Sequence, residues 1–250
     1  MKISLILPCY NEEVNLQKGV LDKIGNYVKN DTQFSEVIIV DDGSDDKSRE
    51  IIKQKYLPQF LQFKLIENPH QGKAASVITG IQKAKNPYVI FSDFDLATPI
   101  EESEKLIAEA KKGYPIVIGS RNTTRKGAPF LRKLMAVGFV TIRDLLMGLS
   151  GIKDTQCGFK LFEKKAALDI FGKLWVFGDG RKARGSSVSA GFDLEFLYVA
   201  QRSGYKIKEV PVIWRHVETK NVNFVKDSLE TVRDIIKIKY FALTGKYNTA

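Results

Sequence analysis

Short apolar runs that alternate with helix-patterned segments predict an α/β fold on a mostly parallel central sheet. Two further observations support that class. The early apolar runs are followed closely by polar or Gly-rich residues, as expected where buried strands emerge at a sheet edge. The chain has 250 residues, 44% of them hydrophobic, enough for one large core.

Ile3 to Leu7 reads as the first strand, and Pro8 closes it. Leu16, Val20, Ile24 and Val28 recur at a spacing of four, one face of an amphipathic helix. Glu36 to Val40 is the second strand, and a helix from about Asp45 to Tyr56 follows, with Ser44 or Asp45 as its cap. A strand at Gln62–Ile66, a helix from about Gly72 to Ala84 and a strand at Tyr88–Phe91 complete the first half. Right-handed crossovers through such helices make these strands parallel. A strand at Pro115–Ile118 precedes a helix over Leu131–Leu149, weakened by Gly138 and Gly148. Residues 172–191, rich in Gly, Ser, Lys and Arg, read as a long mobile loop. A helix at Phe192–Arg202, a strand at Lys206–Trp214 and a helix from about Asn223 to Leu243 finish the chain. No repeat or linker divides it. The expected organisation is one domain over residues 1–222, with 223–250 an amphipathic helix and tail that belongs to it or faces a membrane.

A net charge of +10 points to an anionic partner: nucleic acid, an anionic membrane surface or a phosphorylated substrate. Clustered stacking aromatics of the RNA-binding kind are missing, so nucleic acid is not the expected partner. A basic nucleotide- or RNA-binding module with a structural Asp pair is the alternative from another class. Cys9 and Cys157 are too few for a disulfide framework and fit a reducing compartment, as packed or site-lining thiols. The opening stretch Met1 to Leu7 is too short for a secretory signal, and no apolar run reaches the roughly 18 to 20 residues of a membrane span. A soluble or peripheral protein is expected.

Three polar clusters should converge beyond the strand ends: Pro8 to Glu13, Asp41 to Asp46, and Asp93 with Asp95. Residues two apart on an extended backbone face one side, so Asp93 and Asp95 can share a divalent cation that also meets phosphate oxygens. The Asp41 cluster lacks the spacing of a calcium loop and reads as a nucleotide-binding turn. Gly72-Lys73-Ala74 is not a P-loop, because Ala74 stands where Ser or Thr is needed. Lys73 at a helix start meets a phosphate or sugar, or is solvated.

Leu7 to Glu13, Val40 to Ser44, Gly72-Lys73, Asp93-Phe94-Asp95 and Gly119-Ser120-Arg121 together resemble family 2 glycosyltransferases of the GT-A fold. Asp154 to Phe162, Gly191 to Glu195 and Glu209 to Glu218 resemble the dolichyl-phosphate glucosyltransferase branch, with mannosyl enzymes as close relatives. The resemblance implies an inverting, metal-dependent transfer of a hexose, glucose from UDP-glucose, to dolichyl or another polyprenyl phosphate. A GDP-mannose-dependent mannosyl transfer is the nearest alternative. It implies that Pro8, Tyr10 and Glu12 border the nucleotide, Asp41 bonds the base, Lys73 binds the donor, and Asp93 reaches the ribose or metal. Asp95 is the leading ligand for Mg²⁺ or Mn²⁺. Leu96-Ala97 departs from the pattern, since some mannosyl relatives carry a third polar ligand there.

A phosphate monoester has a second pKa of roughly 6, so the acceptor is already a nucleophilic dianion near neutrality. Cations must hold it, and Arg121, Arg132 and Lys133 suit that role, with Arg125 beside them. Asp154 is the candidate catalytic carboxylate alongside Arg121 and Arg132, with Asp193 and Glu195 as rivals. Trp214 is read as core packing ahead of stacking beside the sugar, His216 as a phosphate donor, and His70 as an ordinary loop histidine. Arg181, Lys182 and Arg184 would serve an acceptor loop within 172–191. Two amphipathic faces are candidates for lipid contact. One is Leu131 to Leu149, flanked by Arg132, Lys133 and Arg143; the other carries Val225, Leu229, Val232, Ile236 and Tyr240. The expected location is peripheral, on the cytoplasmic face of a membrane.

Overall fold

The computed structural model describes residues 1–121, 143–149, 151–178, 190–215 and 224–247. A seven-stranded sheet in the order β3-β2-β1-β4-β6-β5-β7 organises them. The interior strand β1 (Ile3–Cys9) is buried along almost its whole length, which explains its unbroken apolar run. It pairs in parallel with β2 (Phe34–Asp41) on one side and β4 (Tyr88–Ser92) on the other, and β3 (Phe63–Glu67) extends the sheet beyond β2.

Helices α1 (Glu13–Gln17), α2 (Val20–Asn30), α3 (Ser48–Ile51), α4 (Leu57–Gln59) and α5 (Lys73–Lys83) form the crossovers, with a π-helical turn at Ile52–Tyr56. Neither Ser44 nor Asp45 caps α3. The Ser44 hydroxyl instead accepts the Asn11 N–H at 3.0 Å, and Asp46 Oδ1 takes the Ser48 N–H at 2.9 Å, so the loop chemistry joins two strand ends. Gly80 lets α5 lie close on β1, since a Cβ there would meet Ile6 Cγ2 at 2.3 Å.

Beyond β4 the order changes. β5 (Ile116–Arg121) does not follow β4 in the sheet; β6 (Phe159–Glu163) lies between them, antiparallel to both, and β7 (Ile207–Val212) runs parallel to β5 at the edge. The sequence reading has no strand at β6, because Lys160 interrupts its apolar run. That side chain is nevertheless 1% exposed. Two helices also escape that reading, α6 (Ser103–Lys111) and α7 (Lys164–Phe171), each with an apolar face on the sheet. Residues 172–178 are not a mobile loop start: Leu174 and Val176 are buried in the core.

Helices α5, α7, α8 (Ala190–Arg202) and α9 (Phe224–Leu243) cover one face of the sheet, while α2 and α6 contribute to the core on the other. Ile235 and Ile238 of α9 are fully buried in the first core. Residues 143–147 are helical, but Arg143 is not a surface cation there. It is 1% exposed, bonded to Asp144 Oδ1 at 2.6 Å and to the Ile152 carbonyl at 2.6 Å. No helix among the described residues is long and apolar enough to cross a membrane.

Candidate active site

The parallel strands deliver their polar ends to one rim. After β1, Asn11 takes a left-handed conformation (φ 54°), its side-chain oxygen accepts the Asp45 N–H at 3.0 Å, and the Glu12 and Glu13 N–H groups bond Ser48 and Asp46. The β1 and β2 loops therefore form one unit. Asp41 at the end of β2 is fully buried; Oδ2 accepts the Gly43 and Ser44 N–H groups at 3.2 and 3.1 Å, with Arg49 Nε at 3.4 Å. Its other oxygen, Oδ1, is buried without a hydrogen-bond partner. A buried acceptor left so is costly, and it suits a ligand N–H.

Asp42 has a different task. Its two oxygens accept the Gln71 and Gly72 N–H groups at 2.9 and 2.8 Å, which fixes the entry to α5 and so the base of Lys73. His70, read from sequence as an ordinary loop histidine, lies with Nδ1 2.8 Å from Asp42 Oδ2 and stacks on Tyr10, ring centroids 4.3 Å apart. It borders the same rim as Tyr10, Pro8 and Glu12.

Asp93 follows β4 and is held tightly. Its N–H donates to the Gly158 carbonyl at 2.9 Å, and its carboxylate occupies the space over Gly158, where a Cβ would lie 2.0 Å from Oδ2. Lys73 Nζ pairs with Asp93 Oδ1. Burial alone would lower the lysine pKa, but the carboxylates of Asp93, Asp193 and Asp95 outweigh it and raise the value. Asp95 sits beside Leu96, whose φ of 51° is unusual for a branched residue, and Asp95 Oδ1 accepts the Ala97 N–H at 2.9 Å. Among the described residues no three His, Cys, Asp or Glu groups cluster as a ready metal cage. Two carboxylates that leave the remaining positions to substrate phosphates and water fit a hard divalent cation of the Mg²⁺ type.

Arg121 ends β5 and meets Asp154 through three bonds: its N–H and Nε to Oδ2 at 3.0 and 2.6 Å, and Nη2 to Oδ1 at 2.8 Å. Burial opposes the charged carboxylate, yet the Arg121 bonds and charge hold its pKa below the ordinary range. Glu209 on β7 positions this pair by accepting the Asp154 N–H at 2.7 Å. Trp214 is not a core residue. It is 42% exposed, with the Arg121 guanidinium 5.8 Å from its ring centre. Cys157 is no nucleophile, because burial pushes its thiol up to about 11.

The two rival carboxylates separate clearly. Asp193 accepts Lys160 Nζ at 2.7 Å; the same ammonium donates to the Cys157 carbonyl at 2.5 Å and lies 5.7 Å from the Phe91 ring centre. Lys73 sits over that ring at 5.0 Å, so the two lysine–aspartate pairs are neighbours. Glu195 is fully buried and accepts the N–H groups of Trp175, Val176 and Phe177 at 2.7, 2.7 and 2.8 Å, plus the Tyr247 hydroxyl at 2.5 Å. Its oxygens serve the fold, not a substrate.

Pro8, Tyr10, Glu12, Asp41, Lys73, Asp93, Asp95, Arg121 and Asp154 thus all fall among the described residues on the β1, β2, β4 and β5 ends or the adjoining α5 start and β6 approach. Arg125, Arg132, Lys133, Arg181, Lys182, Arg184 and His216 lie outside the described residues. Sequence reasoning missed Gly158, Lys160 and His70. A lysine inside an apolar run is the signal that could have marked Lys160 as the partner of a buried carboxylate.

The family described as Glycosyl transferase family 2 matches residues 4–171. A dolichyl-phosphate beta-glucosyltransferase of Trichomonas vaginalis is 35% identical, over 98% of this chain and 75% of its own length. The proteins of the same name from Saccharomyces cerevisiae and Homo sapiens are 30% and 31% identical, each over 98% of this chain and over 76% and 77% of their own. Among solved structures, mannosyl-3-phosphoglycerate synthase from Rubrobacter xylanophilus superposes with a TM-score of 0.70 at 14% identity, covering 98% of this chain and 75% of that one. Glucosyl-3-phosphoglycerate synthase from Mycobacterium tuberculosis in complex with Mn²⁺, UDP-glucose and phosphoglyceric acid gives 0.67 at 16%, covering 96% and 80%.

Proposed function

The chain belongs to glycosyl transferase family 2, and on that premise we propose that it moves glucose from UDP-glucose to dolichyl or another polyprenyl phosphate, with inversion at the anomeric carbon. It is a glycosyltransferase of the GT-A fold, and its relatives at 30–35% identity lend the sugar and the lipid acceptor. Asp41 Oδ1, buried and without a donor, suits the imide N–H of uracil, beside the Tyr10–His70 stack and the Pro8 and Glu12 rim. Asp93 and Asp95 would hold Mg²⁺ or Mn²⁺ together with the donor diphosphate. When bound there, the ion neutralises charge on the departing UDP. Lys73 adds a cation towards the same phosphates.

One observation carries the acceptor class: the candidate catalytic carboxylate Asp154 is locked on the Arg121 guanidinium, while Lys73 and Lys160 bring further cations to the same site. A carboxylate locked on a cation is a weak proton acceptor. Such a site suits a nucleophile that arrives deprotonated, as a phosphate monoester does near neutrality, its second pKa being about 6. One phosphate oxygen forms the bond to the anomeric carbon while that carbon's bond to the diphosphate oxygen breaks, and UDP leaves. Asp154 acts by holding Arg121 in place, and Arg121, Arg132 and Lys133 are the cations proposed for the acceptor phosphate. The chain is proposed to work peripherally on the cytoplasmic face of a membrane.

Incubation with UDP-glucose or GDP-mannose and dolichyl phosphate, followed by extraction of lipid-linked sugar, tests the reading. Glucosyl lipid is expected from UDP-glucose with Mg²⁺ or Mn²⁺, and Asp95→Ala should lower its rate by about 10²-fold or more. Undiminished transfer by Asp95→Ala, or transfer only to saccharides, would remove it.

A further inference from the structure

We propose that Lys73 is a resident counter-ion of Asp93, and that the diphosphate of a bound donor draws it away, so that the carboxylate becomes open to a divalent cation chiefly when the donor is present. The inference rests on the donor reading above and adds an order of events to it. Three features of the chain support it. Asp93 is fixed at its backbone, where its N–H is bonded to the Gly158 carbonyl, and its carboxylate lies in the space over Gly158. Lys73 can move: its backbone is pinned where Asp42 holds Gln71 and Gly72, but the ammonium sits at the end of a flexible four-carbon stem whose rotation carries it off the carboxylate. Asp193, whose charge also acts on Lys73, is already engaged by Lys160 at 2.7 Å.

The alternatives open to Lys73 decide the outcome. A cation arriving alone must displace the ammonium from Asp93 and leave it facing solvent or the crowded Asp193. A nucleoside diphosphate supplies new oxygen partners for the ammonium, so the same displacement then costs little. Nucleotide and cation should therefore tighten each other's binding, by one and the same factor in each direction.

Electron paramagnetic resonance titration of Mn²⁺ into the purified chain, with and without saturating UDP, measures that factor without any turnover. In the wild type, UDP is expected to tighten Mn²⁺ binding by about tenfold or more, within the usual range of coupling between sites. Lys73→Met should bind Mn²⁺ alone several-fold more tightly than the wild type and UDP alone more weakly, with the coupling cut to roughly threefold or less. Lys73→Arg should restore the coupling, and Lys73→Gln serves if the Met variant unfolds. A neutral variant that binds Mn²⁺ alone no more tightly than the wild type overturns the counter-ion role, even while UDP still binds. If the wild type binds no UDP at all, with or without Mn²⁺, the donor reading falls and the inference falls with it.

Discussion

At Gly158 the absence of a side chain makes room for the Asp93 carboxylate, because any Cβ would occupy its place. The obstructing atoms belong to the far end of a side chain, so Gly158→Ala should displace Asp93 without unfolding the chain. A misplacement of about 1 Å at a reacting centre can cost roughly 10²-fold in rate. Glucosyl transfer is expected to fall by about that factor while the melting temperature stays within a few degrees; a variant with full activity would show that Asp93 need not sit there. Individual residues were legible in the sequence where a motif carried them, as with Asp93, Asp95 and Asp41. Lys73 was legible as a cation at a helix start, but its partner was not, because Lys73 and Asp93 are brought together only by the pairing of distant elements. The same is true of Arg121 and Asp154, each singled out alone and joined only by the approach to β6.

Elements were legible where their periodicity was undisturbed. The parallel half, β1 to β4 with its helices, follows the alternation of apolar runs closely. β6 was hidden because a strand of five residues with a central lysine lacks a continuous apolar run, and its antiparallel direction has no local sequence mark. Helix α8 illustrates the converse problem. Glu195 looked like a catalytic candidate from its place beside Asp193, yet three backbone N–H groups and a tyrosine hydroxyl consume its carboxylate. Glu195→Ala should strand those donors and cost about 3 kcal/mol or more. A fall in melting temperature of roughly 6 to 12 °C is expected for a chain of this size. An unchanged melting temperature with lost transfer would return Glu195 to the catalytic candidates.

For the whole molecule, the net charge of +10 and the placement of apolar residues bear on how a lipid acceptor is met. Helix α9 buries Ile235 and Ile238, but Ile236, Tyr240 and Leu243 on another face are 59%, 62% and 78% exposed, with Val232 beside them. Lys239 shares a cleft with the exposed Leu145, and Lys246 lies 4.8 Å from the Trp175 ring centre, so cations adjoin this apolar surface. Such a combination suits an anionic bilayer. Vesicle flotation with the double variant Ile236→Asp, Tyr240→Asp should weaken binding by at least about tenfold, given roughly 1.5–3 kcal/mol for each large apolar side chain buried. Flotation equal to the wild type would exclude this helix as the docking face. The reversed strand β6 has one more consequence. β5 ends at Arg121 and β6 begins at Phe159 on the same rim, and the Arg121–Asp154 pair ties the end of β5 to the approach to β6. Lengthening a closed excursion costs little, because the entropy of loop closure grows only slowly with length. The length of chain between those two strands can therefore change while the register of β1, β2 and β4 stays untouched.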